Sequence, residues 1–188
     1  LWKPILEGII LRVRPREVAA KYRSIWMEEG SPLMHYTREQ ARRLGERLPG
    51  VRVEVAMRYG QPSIGSVLDC LHADGVRRVA ILPAYPQYAA STVTTINDAV
   101  AQWIGRNRDG FEMRLHRSFP AAPAYIEALA IALERHWERV GRPNFLTGDR
   151  VVVSFHSIPV AMDEAGDPYR AECRHTVAAL ESRLGLAM

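Results

Sequence analysis

One histidine stands where the chain would place a reacting group. His156 follows the apolar run 151–155 and precedes Ser157 and Pro159, so we expect it at the rim of a sheet with its ring in a cleft. A neutral imidazole in that position can accept a proton near neutral pH or bind a borderline metal ion. The simpler interpretation is a histidine that only satisfies a loop carbonyl, and this residue alone leaves both open.

Two tyrosines on a short turn could supply a binding surface. Tyr85 and Tyr88 flank Pro86 and Gln87, and two rings on a proline-fixed turn can form a flat apolar wall with polar tips. A packed turn that leads into the next helix is an equally good interpretation. The chain has 13 glycines but no G-x-G-x-x-G pattern and no Walker lysine, which disfavours nucleotide binding.

Three arginines follow the first apolar segment of the chain. Arg12, Arg14 and Arg16 follow the apolar run 5–11. This pattern indicates a membrane surface or the mouth of a ligand site, or more simply a core helix with solvated charges at its end. We predict a cytoplasmic protein with peripheral membrane contact through residues 1–14.

Alternating strand and helix patterns must position these residues. Four β-rich runs lie at residues 51–57, 78–83, 111–117 and 150–155. Apolar residues at helical spacing separate them, most clearly over 126–137, and again over 173–184 with Asp167 as the N-cap and Pro168 in the first turn. This alternation predicts an α/β fold with a parallel sheet. Ligands gather at the carboxyl ends of such strands. The residues that follow those ends are Arg58, Tyr59, Tyr85, Tyr88 and His156.

The length of the chain allows one domain or two small lobes. We place a boundary near Ser118, so that residues 1–118 form a first α/β lobe and residues 119–188 begin a second lobe, which carries His156. A hinge over residues 141–148 is the alternative. Proline after a strand favours the first position.

Composition excludes several classes of protein. The 188 residues are 47% hydrophobic and 24% charged with a net charge of +4, so neither a disordered chain nor a fibrous repeat is expected. The arginines are dispersed among acidic residues, unlike the basic stripe of a nucleic-acid-binding domain. Cys70 and Cys173 are far apart in sequence, which fits a reducing compartment. The other five histidines have no metal-ligand spacing: His35, His72, His116, His136 and His175.

Several short motifs resemble the signatures of one enzyme family. They are Val153-Ser-Phe-His156-Ser-Ile-Pro159 with Gly166-Asp-Pro-Tyr169, Leu82 to Thr92, and Met57-Arg-Tyr-Gly60. The chain resembles the ferrochelatases, lyases of haem and porphyrin biosynthesis that insert Fe²⁺ into protoporphyrin IX. The resemblance implies two Rossmann-like lobes with parallel sheets flanked by helices, incomplete in this chain.

The resemblance also implies roles for individual residues. His156 matches the active-site histidine of the family, as an iron ligand or as an acceptor of pyrrole protons. Residues that match the porphyrin cleft are Arg58, Tyr59, Tyr85 and Tyr88. Tyr22 and Ser31 match residues that reach a propionate, and Arg14 matches an arginine at the cleft mouth. No organic cofactor is expected, because Fe²⁺ is the substrate.

This chain departs from the family pattern at both ends. The opening strand of the family, and the glutamate that faces the histidine across the cleft, have no counterpart in the 188 residues. We therefore expect a fragment that is inactive by itself. The alternative to a chelatase is a non-catalytic porphyrin- or haem-binding module, which would keep the tyrosines and arginines without needing that glutamate.

Overall fold

The computed structural model describes residues 19–186. They fall into two compact units that divide between Met57 and Arg58. The predicted contact of residues 1–14 with a membrane lies outside the described residues, as does Arg14. Within residues 19–186, no helix combines the length and apolar character that crossing a membrane requires.

The first unit is mainly helical. A helical stretch at residues 19–24 is followed by α1 (Pro32–Arg47). Between them, an antiparallel bridge joins Met27 to Gly30. Gly30 has φ +103°, a conformation that a residue without a Cβ adopts at little cost. Pro32 suits the first turn of α1, because its fixed φ is helical and the N–H it lacks has no partner there.

Ion pairs one turn apart lie along α1. The Nε atoms of Arg42 and Arg43 lie 2.8 and 2.6 Å from the carboxylate oxygens of Glu39. Hydrogen bonds from Arg42 and then Arg43 lower the pKa of Glu39 from 4.5 to about 2. Because these charges face solvent, the pairs contribute little to the stability of the helix.

The second unit carries the α/β part of the fold. It contains α2 (Ile64–Ala73), β1 (Arg78–Ile81), a π-helical turn (Ala90–Thr94), α3 (Thr95–Arg106), β2 (Glu112–Leu115), α4 (Pro123–Val140), a 3₁₀ turn (Phe145–Thr147), α5 (Val160–Glu164) and α6 (Tyr169–Leu184). The two strands pair in parallel, with Val79 opposite Met113 and Ile81 opposite Leu115. The fold is therefore α/β, with a small parallel sheet flanked by helices.

The first apolar cluster of this unit packs α2 and α3 against the sheet. Its buried members are Ile64, Leu68, Ile96, Val100 and Trp103. Trp103 exposes 1% of its surface, its ring stacks on Phe111 with centroids 5.0 Å apart, and its Nε1 donates to Asp69 Oδ1 at 2.7 Å. The indole is thus buried with its polar atom satisfied, as a core tryptophan requires.

A second cluster joins α4 to α6. Its buried members are Ile126, Ala130, Trp137, Leu180 and Leu184. Both helices follow the predicted apolar spacing, so these two predictions are confirmed. The predicted lobe boundary at residue 118 lies between the two clusters and stays a prediction.

Two of the four predicted strands do not form in the described residues, so these two predictions are wrong. Residues 51–56 and 150–155 have no regular secondary structure. A strand exists only within a hydrogen-bonded ladder, and no segment of residues 19–186 forms one with them. Val152 exposes 86% of its surface, although its apolar run predicts burial, whereas the neighbouring Val151 packs against the second cluster.

Candidate active site

The turn after β1 is fixed to the elements around it. Gln87 is buried, and its Nε2 donates to Thr176 Oγ1 on α6 at 2.8 Å. The same hydroxyl donates to the Pro120 carbonyl at 2.7 Å. The Phe119 amide donates to the Pro86 carbonyl at 2.8 Å. The turn therefore has a defined position relative to α6 and to the segment after β2.

The two tyrosines of this turn have different surroundings. Tyr85 is exposed over 45% of its surface. Tyr88 is half-buried, and its hydroxyl shares a hydrogen bond of 2.6 Å with Thr94 Oγ1. The Arg117 guanidinium carbon lies 4.3 Å from the Tyr88 ring centroid, within the range of a cation–π contact. Tyr88 is thus held in place, while Tyr85 presents an open aromatic surface.

A glutamate that the sequence analysis missed lies behind Tyr88. Glu172 exposes 7% of its surface, and one of its carboxylate oxygens accepts the Tyr88 backbone N–H at 2.7 Å. The other accepts Arg117 Nη1 at 2.8 Å and Ser118 Oγ at 3.2 Å. A carboxylate loses its hydration on burial, so these donors are what make its position tolerable. The available signal was that Glu172 and Thr176 lie one turn apart on a helix with apolar residues.

Asp167 links the same turn to the start of α6. Its Oδ2 accepts the Ala90 backbone N–H at 2.8 Å, and its Oδ1 accepts the Tyr169 backbone N–H at 3.0 Å. The prediction of Asp167 as the N-cap is wrong by one residue, because α6 begins at Tyr169 and its N-cap is Pro168; Asp167 lies just before the N-cap and still accepts the first helical N–H. One side chain satisfies a free N–H at the helix end and one in the turn.

His156 is exposed in a segment that lies against α6. Tyr169, the first residue of α6, has the Cys173 thiol and the His156 backbone among the groups that influence its hydroxyl. Burial is the largest cause of a raised Tyr169 pKa and Cys173 adds to it, whereas the His156 backbone acts in the opposite direction. Burial also raises the pKa of the Cys173 thiol, which keeps it protonated and a poor metal ligand. Tyr169 thus connects the histidine to α6 while the imidazole stays open.

Arg58 and Tyr59 form a separate feature of the second unit. The Arg58 guanidinium carbon lies 4.7 Å from the Tyr59 ring centroid, and Tyr59 exposes 71% of its surface. Arg58 Nε is buried and has no hydrogen-bond partner among the described residues. A buried N–H of this kind costs free energy until an acceptor reaches it. A carboxylate is a suitable acceptor, since guanidinium groups bind it strongly.

The remaining predicted site residues belong to the first unit. Tyr22 is exposed. Ser31 is the N-cap residue of α1, but its side chain makes no capping hydrogen bond. Each of these side chains carries a hydroxyl that can donate a hydrogen bond to a ligand carboxylate.

The structure brings part of the predicted set together. The contacts of α6 join the Tyr85–Tyr88 turn to the backbone of His156, whereas Tyr22 and Ser31 are placed only within the first unit. Across residues 19–186, no group of three or more histidine, cysteine, aspartate or glutamate side chains could hold a metal ion. The exposed imidazole of His156 and the exposed ring of Tyr85 suit a planar aromatic ligand, whereas the Arg58 guanidinium, a separate feature, suits a carboxylate.

Comparison with known proteins matches this chain to a family of enzymes. The family model described as Ferrochelatase matches residues 1–188. A protein named ferrochelatase from Methylibium petroleiphilum is 48% identical over 99% of this chain and 51% of its own length. A ferrochelatase from Stenotrophomonas maltophilia is 43% identical over 100% of this chain and 57% of its own length. The protein named ferrochelatase 1 from Shewanella oneidensis is 44% identical over 99% of this chain and 56% of its own length. The chain spans about half the length of the curated relatives it matches.

Proposed function

Because the chain belongs to the ferrochelatase family, we propose that this protein inserts Fe²⁺ into protoporphyrin IX to give protohaem. The observation that carries the proposal is the match of the family model over all 188 residues. Fe²⁺ is a substrate, and no organic cofactor takes part. The reaction exchanges one metal ion for the two protons of the pyrrole N–H groups, so it needs a place for the ion to approach and a route for the protons to leave.

The proposed role of His156 is to act at the pyrrole face. Its imidazole is exposed, and its backbone is connected to α6 through Tyr169. A neutral imidazole has one nitrogen with a free lone pair, which can accept a pyrrole proton or hold the incoming Fe²⁺. Either role needs an accessible ring, and the exposure of His156 supports it. His156 is therefore our candidate for both the catalytic and the metal-binding residue.

The aromatic side chains are proposed to hold the macrocycle. Tyr85 and Tyr59 present exposed rings, and Tyr88 lies on the same fixed turn as Tyr85. A flat apolar macrocycle gains from stacking and from the burial of apolar surface on such rings. Binding energy gained at these walls can also bend the macrocycle, which turns a nitrogen lone pair towards the ion.

The propionate groups of the porphyrin need hydrogen-bond donors from the protein. Arg58 has a buried Nε without a partner among the described residues, and we assign it to a propionate. Tyr22, Ser31 and Arg14 are proposed for the same purpose, on their match to the family pattern. A charge-assisted hydrogen bond to a carboxylate contributes about 1.5–3 kcal/mol.

Metal insertion distinguishes a chelatase from a porphyrin-binding module. The complete protein encoded by the gene that carries this sequence is incubated anaerobically with protoporphyrin IX and Fe²⁺, or with Zn²⁺ as a redox-stable substitute. We expect the free-base absorption bands to be replaced by those of the metalloporphyrin at a rate proportional to enzyme concentration. Tight porphyrin binding without metallation would contradict the proposal and select the non-catalytic module.

A further inference from the structure

We propose that Glu172 and Arg117 form a positioning pair that sets the orientation of Tyr88 and hence the shape of the porphyrin-binding wall. The inference rests on the function proposed above. It assigns a task to a buried carboxylate that metal insertion itself does not use, and it adds two residues to those that the sequence motifs indicate.

The first argument is the convergence of donors on Glu172. A single carboxylate on α6 accepts the Tyr88 backbone N–H at 2.7 Å, Arg117 Nη1 at 2.8 Å and Ser118 Oγ at 3.2 Å. These donors come from the turn after β1 and from the segment after β2. Glu172 therefore fixes the backbone of Tyr88 and, at the same time, the group that lies over its ring.

The second argument concerns the ring itself. The Arg117 guanidinium carbon lies 4.3 Å from the Tyr88 centroid, so it covers one face of the ring. The hydrogen bond of 2.6 Å between the Tyr88 hydroxyl and Thr94 restrains the far end of the side chain. Backbone, ring face and hydroxyl of Tyr88 are thus each held.

A wall that is already ordered lowers the cost of binding. A flexible tyrosine would lose rotational freedom when a macrocycle stacks on it, and that loss reduces affinity. An ordered ring has already lost this freedom on folding. Since Glu172 and Arg117 act through Tyr88 and are not assigned to the reacting nitrogens, their removal should change porphyrin affinity more than the rate of metal insertion.

Three substitutions and a matched control test the pair in the complete protein. Glu172→Gln keeps the shape but removes the charge, Arg117→Gln removes the cation, and Arg117→Lys keeps the charge but not the planar group. The control is Glu138→Gln, an equal charge change at an exposed site on α4. Because 59% of the Arg117 side chain is exposed, the Arg117 variants should fold even if Glu172→Gln does not.

Steady-state metallation with Zn²⁺ and protoporphyrin IX gives the first readout. For Glu172→Gln we expect KM for porphyrin to rise by up to about ten-fold, because a Tyr88 side chain that is no longer ordered must be immobilised on binding, with kcat within about two-fold of wild type. Arg117→Gln should raise KM several-fold, Arg117→Lys should recover part of that loss, and Glu138→Gln should match wild type. Unchanged KM in both Glu172→Gln and Arg117→Gln, or a loss confined to kcat, overturns the proposal.

A second readout does not depend on activity. With 3-fluorotyrosine placed at position 88, the ¹⁹F resonance should be single and narrow in the wild type. It should shift and broaden in Glu172→Gln and Arg117→Gln, but not in Glu138→Gln. A resonance that neither variant alters overturns the positioning role, whether or not the protein inserts metal. Failure of the wild type to metallate porphyrin would instead refute the proposed function, so the two failures are distinguishable.

Discussion

Replacement of Thr176 by valine tests the packing that holds the tyrosine turn against α6. Thr176 exposes 2% of its surface. Its hydroxyl accepts from Gln87 Nε2 at 2.8 Å and donates to the Pro120 carbonyl at 2.7 Å. Valine has nearly the same shape, so the substitution removes these two hydrogen bonds and a weaker one of 3.2 Å to the Glu172 carbonyl without opening a sizeable cavity.

The expected loss in the free energy of unfolding follows from the polar groups that lose their hydrogen-bond partner. In Thr176→Val, a buried amide N–H of Gln87 and the carbonyl of Pro120 each lose a partner. Leaving a buried donor or acceptor unsatisfied costs about 1–3 kcal/mol, and we expect a total loss of about 2–4 kcal/mol in the free energy of unfolding. In the double variant with Gln87→Leu, the stranded amide is gone. The combined loss should therefore fall short of the sum of the single losses by about 1 kcal/mol.

Urea unfolding of the complete protein measures these values. The m-value should stay constant, because the surface exposed on unfolding is unchanged. The control is Thr147→Val, which makes the same chemical change at an exposed position in the 3₁₀ turn and should cost less than about 0.5 kcal/mol. If Thr176→Val is as mild as this control, the Gln87–Thr176–Pro120 connection does not support the turn in the way we describe.

Three further predictions concern charge, thiol accessibility and the cleft mouth. Because the folded-state pKa of Glu39 is lowered from 4.5 to about 2, its stabilising effect is present above pH 4.5 and is lost as the pH falls towards 2. Because the pairs are exposed, this part of the pH dependence of unfolding is small; Glu39→Gln should remove it, and a Glu39 carboxyl that titrates near 4.5 in the folded protein would contradict the pairing. Cys173, buried and with a raised pKa, should react with a thiol reagent more slowly than the exposed Cys70, so that Cys70→Ser removes the fast phase; a fast phase that persists in that variant argues against the assignment. Arg14→Ala should raise KM for porphyrin by about ten-fold or more, as for a lost charge-assisted bond to a propionate, and a loss seen only in kcat counts against its assignment.

Much of the second unit could be predicted because its signals are local. Parallel strands β1 and β2 and helices α4 and α6 each show the apolar period of their own element within a few residues. Residues 51–56 and 150–155 show a strand-like pattern too, but a strand also needs a neighbour to pair with. Pairing is decided by distant segments, and no segment of residues 19–186 provides it.

The residues of the candidate site could likewise be predicted only in part. His156, Tyr85 and Tyr88 were found because they follow apolar runs and lie within short family motifs. Glu172 was missed because a glutamate on a helix is normally solvated, and its position one turn from Thr176 is too weak a signal to mark it as buried. Two of its three donors, Tyr88 and Arg117, lie 84 and 55 positions away, so only the folded chain brings them together.

The most direct test of the proposed chemistry is the rate of metal insertion by His156→Ala in the complete protein at saturating protoporphyrin IX. The matched control is His175→Ala, an exposed histidine on α6. Loss of a required proton acceptor typically lowers a rate by about 10²–10⁴-fold, and we expect a loss of at least this size for His156→Ala alone. Porphyrin affinity, from fluorescence titration, and the unfolding midpoint should stay near wild type. A variant that binds porphyrin normally and inserts Fe²⁺ at nearly the wild-type rate would contradict the assignment of His156 as the catalytic residue.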